Sequence, residues 1–193
     1  MRNIAIFASG SGTNAENIIR YFSNSKSAQV TLILSNRKEA YVLKRAATLN
    51  VRSVFFDRKD LYEKDKVSRY LAMYKIDFIV LAGFLWLIPE SILNTYEKRI
   101  VNIHPALLPK HGGKGIYGEK VHETVLAKHE KESGITIHYV NRHYDKGTVI
   151  FQARCPVNPE DTPETLAARV HELEYKHYPE IIEKLVLKLP DMP

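Results

Sequence analysis

The sequence of 193 residues contains one cysteine, Cys155, and this scarcity excludes two kinds of site. A single thiol forms neither an internal disulfide framework nor a multi-cysteine metal centre, and no other ligand cluster with metal spacing is visible. Long apolar runs are also missing, since none approaches the roughly 20 residues that a membrane-spanning helix needs. The run at residues 4–8 is too short for a signal-peptide core. We therefore expect a cytoplasmic protein without membrane contact.

A basic stripe is missing as well, although the formal net charge is +6. The lysines and arginines are scattered among acids, as at residues 130–132, and no spaced aromatic residues accompany them. A nucleic-acid surface usually shows such a stripe, so we expect no nucleic-acid partner. The positive charge fits a small anionic substrate, and it fits an incidental solvated surface better.

Polar residues gather at the end of one short apolar run, in the sequence Arg99-Ile-Val-Asn-Ile-His-Pro-Ala-Leu-Leu-Pro109. Asn102 and His104 are two positions apart, so they point to the same side if the strand continues through them. Pro105 and Pro109 then end regular structure. Open α/β sheets bind ligands at the carboxyl ends of their strands, which makes this stretch a candidate active site. The alternative is that both side chains only satisfy backbone groups there.

A glycine-rich turn follows the first apolar run, in the sequence Ser9-Gly-Ser-Gly-Thr-Asn-Ala15. Gly10 and Gly12 allow backbone amides to approach a ligand, and Thr13 or Asn14 is expected to cap the helix that follows. Free N–H groups at such a helix start bind anions. The last glycine of the dinucleotide pattern and the lysine of a P-loop are absent, which favours a monophosphate. A turn without any ligand is the alternative.

Apolar runs and helical spacing alternate through the first half of the chain, which is typical of a doubly wound α/β fold. The predicted strands occupy residues 4–8, 30–35, 51–56, 77–82 and the run before His104. The predicted helices occupy residues 15–22, 41–49, 61–74 and 89–96. Further along, the patterns predict a helix at 117–128, an antiparallel pair of strands at 134–140 and 148–154, and a final helix from 161 to about 188.

These elements predict one α/β domain over residues 1–193. The expected architecture is a Rossmann-like open sheet, mostly parallel with an antiparallel C-terminal part, and with helices on both faces.

Three further segments are candidates for the site. The apolar turn at residues 83–89 is suited to form one wall of a pocket for a flat aromatic ligand, or its leucines plug the sheet edge. Residues 110–118 contain four glycines and two lysines, which predicts a mobile loop over the site. Asp145 lies in the connection after a strand that is expected beside Asn102 and His104. It is either a turn former or a catalytic carboxylate.

Together these motifs resemble the folate-dependent formyltransferases, and within them the phosphoribosylglycinamide formyltransferase (GAR transformylase) family. The resemblance rests on the glycine turn, Leu81-Ala-Gly-Phe84, Asn102-Ile-His-Pro-Ala-Leu-Leu-Pro109, Asp145-Lys-Gly147 and Glu174 near the final Tyr-Pro. The Asn-x-His-Pro motif with a downstream aspartate is specific for folate-dependent formyl transfer and less specific for the acceptor. The glycine turn and the short chain favour glycinamide ribonucleotide.

The resemblance implies transfer of the formyl group of 10-formyltetrahydrofolate to the amine of glycinamide ribonucleotide in de novo purine biosynthesis, without a metal. It implies a catalytic triad of Asn102, His104 and Asp145. The implied ribonucleotide contacts are Gly12, Thr13, Asn14, Pro105 and Glu174, and the implied folate contacts are Leu85, Trp86, Leu87, Ile88, Asn141 and Asp145. Asn102 and a protonated His104 then donate to the oxyanion of the tetrahedral intermediate, and Asp145 holds His104 and relays a proton.

The chain departs from the family pattern at three places. Trp86 stands where the pattern has arginine, His171 stands where it has lysine or glutamine, and the loop at residues 110–118 is longer and richer in glycine.

Rival functions come from two classes. Methionyl-tRNA formyltransferase and formyltetrahydrofolate deformylase normally carry a further domain, so neither is expected. A non-catalytic module that holds a phosphorylated metabolite would need the glycine turn but not the triad. The sequence is compatible with a monomer or a homodimer.

Overall fold

Strands and helices alternate through most of the chain in the computed structural model, which describes residues 1–190. The strands are β1 (Arg2–Phe7), β2 (Ala28–Ser35), β3 (Arg52–Phe55), β4 (Phe78–Leu81), β5 (Ile100–His104), β6 (Glu132–Tyr139) and β7 (Val149–Pro156). The helices are α1 (Thr13–Phe22), α2 (Tyr41–Thr48), α3 (Arg58–Tyr62), α4 (Lys66–Met73), α5 (Glu90–Thr95), α6 (Glu119–Ala127) and α7 (Pro163–Val186). No helix within residues 1–190 is long and apolar enough to cross a membrane.

All the strands named above form one sheet, in the order β3-β2-β1-β4-β5-β6-β7. The pairs from β3 to β5 are parallel, whereas β5–β6 and β6–β7 are antiparallel. The predicted mostly parallel sheet with an antiparallel C-terminal part is therefore confirmed. The strand order reverses between β1 and β4, and such a reversal opens a crevice at the carboxyl ends of the strands. The glycine turn follows β1 and Asn102 lies in β5, so both lie at this edge.

Two apolar clusters lie on opposite faces of the sheet, which confirms the expected helices on both faces. One cluster contains Ile18 of α1 and Ile182 of α7. The other contains Leu71 of α4 and Ile92 of α5. Alternate residues of β1 enter the two clusters in turn, as expected for a central strand that is buried on both sides.

One predicted helix is wrong, because residues 61–74 form two helices rather than one. Helix α3 begins earlier, at Arg58, since Asp57 and Asp60 form a reciprocal capping box. Asp65 then adopts a left-handed backbone with φ 50°, which interrupts the chain before α4. The apolar spacing continues across this break, so the periodicity alone did not reveal it. Aspartate tolerates the left-handed region better than most residues, which allows the turn here.

Helix α7 is tied to the sheet and to α1 by two polar contacts near a proline. The fully buried Tyr178 donates its hydroxyl hydrogen to the Leu81 carbonyl at 2.9 Å. Pro179 has no N–H, so the carbonyl of Tyr175 lacks its usual helical donor. Asn17 Nδ2 of α1 donates to that carbonyl instead, at 2.8 Å. The start of α1 is thereby held at a fixed position relative to the middle of α7.

Candidate active site

The turn between β1 and α1 presents uncapped backbone N–H groups. Gly12 is the N-cap of α1, with φ 76°, and no side chain caps the helix. The expectation that Thr13 or Asn14 caps it is therefore wrong, since both residues lie inside the helix. A Cβ atom on Gly12 would lie 2.4 Å from Val42 Cγ2, so only glycine fits between the turn and α2. The free N–H groups and the helix dipole make this turn suitable for an anion.

The glycine turn is joined to the apolar turn at residues 83–89 by a buried hydroxyl. Ser9 Oγ donates to Asn36 Oδ1 at 2.7 Å and accepts from the Leu85 N–H at 3.1 Å. Sequence reasoning did not single out Ser9 or Asn36. Their contacts fix the distance between the anion-binding turn and the apolar wall of the site.

Asn102 and His104 point to the same side of β5, and the antiparallel partner β6 adds a second histidine. Asn102 is paired in register with His138. His138 Nδ1 lies 2.8 Å from the Tyr139 carbonyl, so Nδ1 carries the hydrogen that this oxygen accepts, and the amide of Asn102 faces Nε2 as an acceptor. Asn102 Nδ2 lies 3.2 Å from that nitrogen and donates one hydrogen to it. The second hydrogen of the amide is left for a ligand.

His104 is buried between the loop after β5 and Asp145. Its Nε2–H donates to the His111 carbonyl at 2.8 Å, and its Nδ1 lies 3.6 Å from Asp145 Oδ2. Burial lowers the pKa of His104 below the usual 6.5, and the neighbouring Asp145 opposes that shift without cancelling it. The ring of the free protein is therefore mostly neutral at pH 7, and a further proton would enter at Nδ1, beside Asp145.

Asp145 reaches this place because its loop packs closely against β6. A Cβ atom on Gly147 would lie 1.5 Å from the Tyr139 carbonyl oxygen, so a side chain there would push the loop away. Asp145 Oδ2 accepts from the Gly113 N–H at 2.9 Å, and Oδ1 lies 3.7 Å from His138 Nε2. Burial alone would raise the pKa of Asp145, but its contacts with His138, His104 and Gly113 lower it overall. The carboxylate is thus ionised at neutral pH.

A second carboxylate, Glu174 of α7, lines the same cavity beside the start of α1. Its Oε2 accepts from Asn14 Nδ2 at 2.9 Å and from His171 Nδ1 at 2.7 Å. The hydrogen bond to Glu174 raises the pKa of His171 above 6.5. Oε1 has no hydrogen-bond partner within residues 1–190, and Glu174 lines the cavity although it is only 3% exposed. One oxygen is therefore fixed by two donors, while the other is open to a cationic or hydroxyl group.

These parts surround one cavity of about 950 Å³. Its lining includes Leu85 and all the predicted catalytic residues, which are Asn102, His104 and Asp145. It also includes all the predicted ribonucleotide contacts, which are Gly12, Thr13, Asn14, Pro105 and Glu174. Arg37, His122 and Tyr144 also line it and were not predicted. The cavity is of the size that small-molecule sites usually have.

An adjoining cavity of about 620 Å³ holds the rest of the apolar wall. It is lined by Trp86 and Leu87, and it shares Lys114 and Tyr144 with the larger cavity. Its cationic residues are Arg58, Lys114, Arg142 and Lys146. The guanidinium of Arg58 lies 5.9 Å from the Trp86 ring, so the tryptophan that departs from the family pattern carries a cation next to it.

Two predicted folate contacts lie elsewhere. The side chain of Ile88 is 3% exposed and packs in the core, so only its backbone is available to a ligand. Asn141 closes its own loop, because its Nδ2 donates to the Lys146 carbonyl and its Oδ1 accepts from the His143 N–H, both at 2.9 Å.

His138 contacts Asn102, and the sequence analysis did not predict it as a site residue. It lies two residues after Thr136 in β6, so the alternation of the strand places both side chains on one face, and this pattern is visible in the sequence. Its proximity to Asn102 depends on the register between β5 and β6, which the sequence pattern does not fix. Within residues 1–190 there is no group of three or more histidine, cysteine, aspartate or glutamate side chains placed to hold a metal ion.

Comparison with known proteins adds independent findings. A family model described as formyl transferase matches residues 2–182. Phosphoribosylglycinamide formyltransferase of Bacillus subtilis is 34% identical over 191 residues, which cover 96% of this chain and 95% of that protein. The chloroplastic phosphoribosylglycinamide formyltransferase of Arabidopsis thaliana is 40% identical over 187 residues, or 94% of this chain. The chain spans 64% of the Arabidopsis protein and 61% of the corresponding Vigna unguiculata protein.

A solved structure shows the same fold. The crystal structure of phosphoribosylglycinamide formyltransferase from Bacillus halodurans superposes with a TM-score of 0.87 at 36% identity. The superposition covers 97% of this chain and 96% of that chain.

Proposed function

Because the chain belongs to the formyl transferase family, we propose that it formylates glycinamide ribonucleotide with 10-formyltetrahydrofolate, in de novo purine biosynthesis. The products are formylglycinamide ribonucleotide and tetrahydrofolate. The observation that carries the proposal is the meeting of Asn102, His104 and Asp145 in one cavity with the glycine turn and Glu174. A phosphate site and an amine site thus line the same cavity as groups suited to acyl transfer.

The two ends of the ribonucleotide match two ends of the cavity. Backbone N–H groups after Gly12 bind the phosphate, which the dipole of α1 also favours. The open Oε1 of Glu174 binds the glycinamide end, while Asn14 and His171 hold the other oxygen. This arrangement directs the substrate amine towards Asn102 and His104 of β5 and towards Asp145 in the loop after β6.

The folate fits the apolar side of the cavity. Its flat pterin lies against Leu85 and the loop of Tyr144, and its anionic glutamate tail extends into the adjoining cavity. There Arg58, Lys114 and Lys146 supply positive charge. The formyl group is then placed beside Asn102 and His104.

The amine attacks the formyl carbon, its lone pair forms the new C–N bond, and the carbonyl oxygen becomes an oxyanion. The amide hydrogen of Asn102 that His138 does not use donates to that oxygen. One such donor contributes roughly 3–4 kcal/mol of barrier lowering. As negative charge develops, His104 takes up a proton from solvent water at Nδ1 and returns it to water when the carbonyl re-forms. In between, the charge of the imidazolium stabilises the oxyanion. Since burial keeps His104 mostly neutral beforehand, this interaction strengthens in the transition state.

The remaining proton transfer belongs to Asp145. Its carboxylate is ionised at neutral pH and accepts a proton from the attacking ammonium, directly or through one water. The proton then passes to the folate nitrogen as the bond between that nitrogen and the formyl carbon breaks. The carbonyl re-forms, and neither a metal nor a redox step is involved.

The test is the absorbance change of the folate on mixing 10-formyltetrahydrofolate, glycinamide ribonucleotide and the protein, with the formylated product identified by mass spectrometry. Asn102→Ala should reduce kcat by about 10²–10³-fold. Asn94→Ala is the matched control, because this asparagine is exposed on α5 and lines neither cavity, and the variant should keep nearly full kcat. Ribonucleotide binding without formyl transfer would instead support a non-catalytic binding module.

We extend the proposal to the organisation of the protein. Residues 1–193 work as a single formyltransferase domain, as monomer or homodimer, in the cytoplasm, with small molecules rather than nucleic acid as partners. The single continuous sheet and the free, buried Cys155 support this assignment. Light scattering and cell fractionation test it.

A further inference from the structure

His122 of α6 lines the larger cavity, and the proposed reaction gives it no role. Its neighbours on the buried face of α6, Val121 and Val125, are apolar core residues. His122 itself is only 3% exposed. Because it lines this cavity, the small exposed part of the side chain faces the space in which the ribonucleotide is proposed to bind.

The ring of His122 makes no hydrogen bond within residues 1–190. Its Nδ1 is buried without a partner, whereas its Nε2 is accessible and equally unpaired. Nε2 is therefore the atom through which the ring reaches the cavity. Buried polar side chains rarely go unpaired in folded proteins, because an unmade hydrogen bond costs free energy. A ligand that pairs with Nε2 recovers part of that cost.

His122 is mostly neutral at pH 7, so its two ring nitrogens have different roles. Burial lowers the pKa of His122 below the usual 6.5, and the nearby His171 lowers it further, while Glu174 opposes both. A neutral imidazole has one nitrogen that donates and one that accepts. Buried N–H groups are left unpaired more rarely than buried acceptors, which favours the hydrogen on the accessible Nε2. The ring thus presents an N–H donor to the cavity.

The groups around His122 indicate which part of the ribonucleotide this donor meets. The charged neighbours of the ring are His171 and Glu174 on α7 and His104 on β5. In the proposed function Glu174 binds the glycinamide end and His104 acts at the formyl group, whereas the phosphate lies at the turn before α1. The donor therefore faces the glycinamide and the adjoining ribose. The acceptors there are the glycinamide carbonyl oxygen and the ribose hydroxyls.

We propose that His122 is a specificity-determining residue that donates its Nε2–H to an oxygen of the ribonucleotide, either the glycinamide carbonyl or a ribose hydroxyl. This inference rests on the proposed function, because it names a contact to that substrate. Glu174 Oε1 accepts from the same end of the molecule, so one donor and one acceptor recognise it together. Phosphates without this polar end gain nothing from His122.

The experiment measures the Kd of glycinamide ribonucleotide for the whole protein by calorimetry, without folate. His122→Phe keeps a ring and removes both nitrogens, one of which is buried and unpaired, so the melting temperature should not fall. His122→Gln keeps an N–H donor near the position of Nε2. Glu123→Gln is the matched control, because Glu123 is exposed on α6 and lines neither cavity.

We expect Kd to rise roughly two- to tenfold in His122→Phe, as for loss of one neutral hydrogen bond, and to stay near the wild-type value in His122→Gln and Glu123→Gln. An analogue without the ribose 2′- and 3′-hydroxyls identifies the oxygen. If the difference between wild type and His122→Phe disappears with this analogue, a hydroxyl accepts the hydrogen; if it persists, the carbonyl does.

A measurement on the wild-type protein makes the test independent of the variants. The NMR resonance of His122 Nε2 should shift when the ribonucleotide is added. An unchanged resonance, or an equal Kd in wild type and His122→Phe, would overturn the role of His122. Formyl transfer by the wild type together with either result leaves the proposed function intact, whereas absent ribonucleotide binding by the wild type rejects the proposed function itself.

Discussion

Replacing Asp145 with asparagine separates the charge of this side chain from its structural contacts. The backbone of Asp145 is left-handed, with φ 54°, and asparagine tolerates that region as well as aspartate does. The amide oxygen of asparagine also replaces Oδ2 as acceptor for the Gly113 N–H. The variant should therefore fold and keep its loop, while the negative charge beside His104 is lost.

The size of the effect follows from the geometry. Two unit charges 3.6 Å apart, as for His104 Nδ1 and Asp145 Oδ2, attract by roughly 4–5 kcal/mol at an effective dielectric constant of ~20. Relaxation and water reduce this value, and an opposite charge at such a distance usually shifts a pKa by about 1–3 units. The pKa of His104 is already lowered by burial and should fall further when the charge of Asp145 is removed. Protonation in the transition state becomes harder, which lowers kcat by roughly ten- to thousandfold.

Two measurements check this prediction. The His104 ring is titrated by NMR in both proteins, and kcat and KM are determined from folate absorbance; kcat should fall far more than substrate affinity. Asp57→Asn is the control, because asparagine caps a helix as well as aspartate does and this residue lies outside the cavities. Wild-type kcat together with an unchanged His104 titration would remove Asp145 from the mechanism and leave it as a turn residue.

Three further predictions concern the turn, the loop and the second carboxylate. Gly12→Val should lower the melting temperature, because the new Cβ meets Val42. Gly10→Val has room for its side chain and should raise the ribonucleotide KM without changing folate affinity. Equal loss of both affinities in Gly10→Val would make the turn purely structural. Trypsin should cut the 110–118 loop at the exposed Lys114, and more slowly with both ligands present, if the loop is a cover; unchanged cleavage would reject gating. The His171–Glu174 pair raises the pKa of His171, so its stabilisation is fully present below about pH 6.5 and is lost as the pH rises through the folded pKa. The difference in melting temperature between wild type and His171→Gln should accordingly shrink between about pH 5.5 and about pH 8.5. A constant difference would contradict the link between the protonation of His171 and stability.

Sequence patterns predicted the fold well because a parallel sheet has a strong signature. Asn102 and His104 were placed on one side of β5 by the two-residue period alone, and the structure agrees. The Asp65 break escaped prediction because apolar spacing continues through it. Periodicity describes which face of an element is buried, and it does not describe a local backbone turn whose flanking helices pack on the same core.

The polar part of the site was harder to predict than the strand that carries it. The family resemblance implied that Asn14 and Glu174 bind the same ligand. The direct contact between them depends on the packing of α1 against α7, which the resemblance did not describe. His138 depends on strand register, and the His104–His111 contact depends on the path of a loop. These are long-range geometric facts, which local residue preferences do not encode.

The contact between Asn14 and Glu174 has a consequence for the order in which function appears during synthesis. The two residues are separated by 160 positions along the chain. Contacts of such separation form late, because the intervening chain must be ordered first. A nascent chain that has completed β7 already contains the phosphate turn and the triad, yet it lacks the helix that supplies the second carboxylate. Recognition of the amine end of the substrate therefore matures last, when α7 packs against α1.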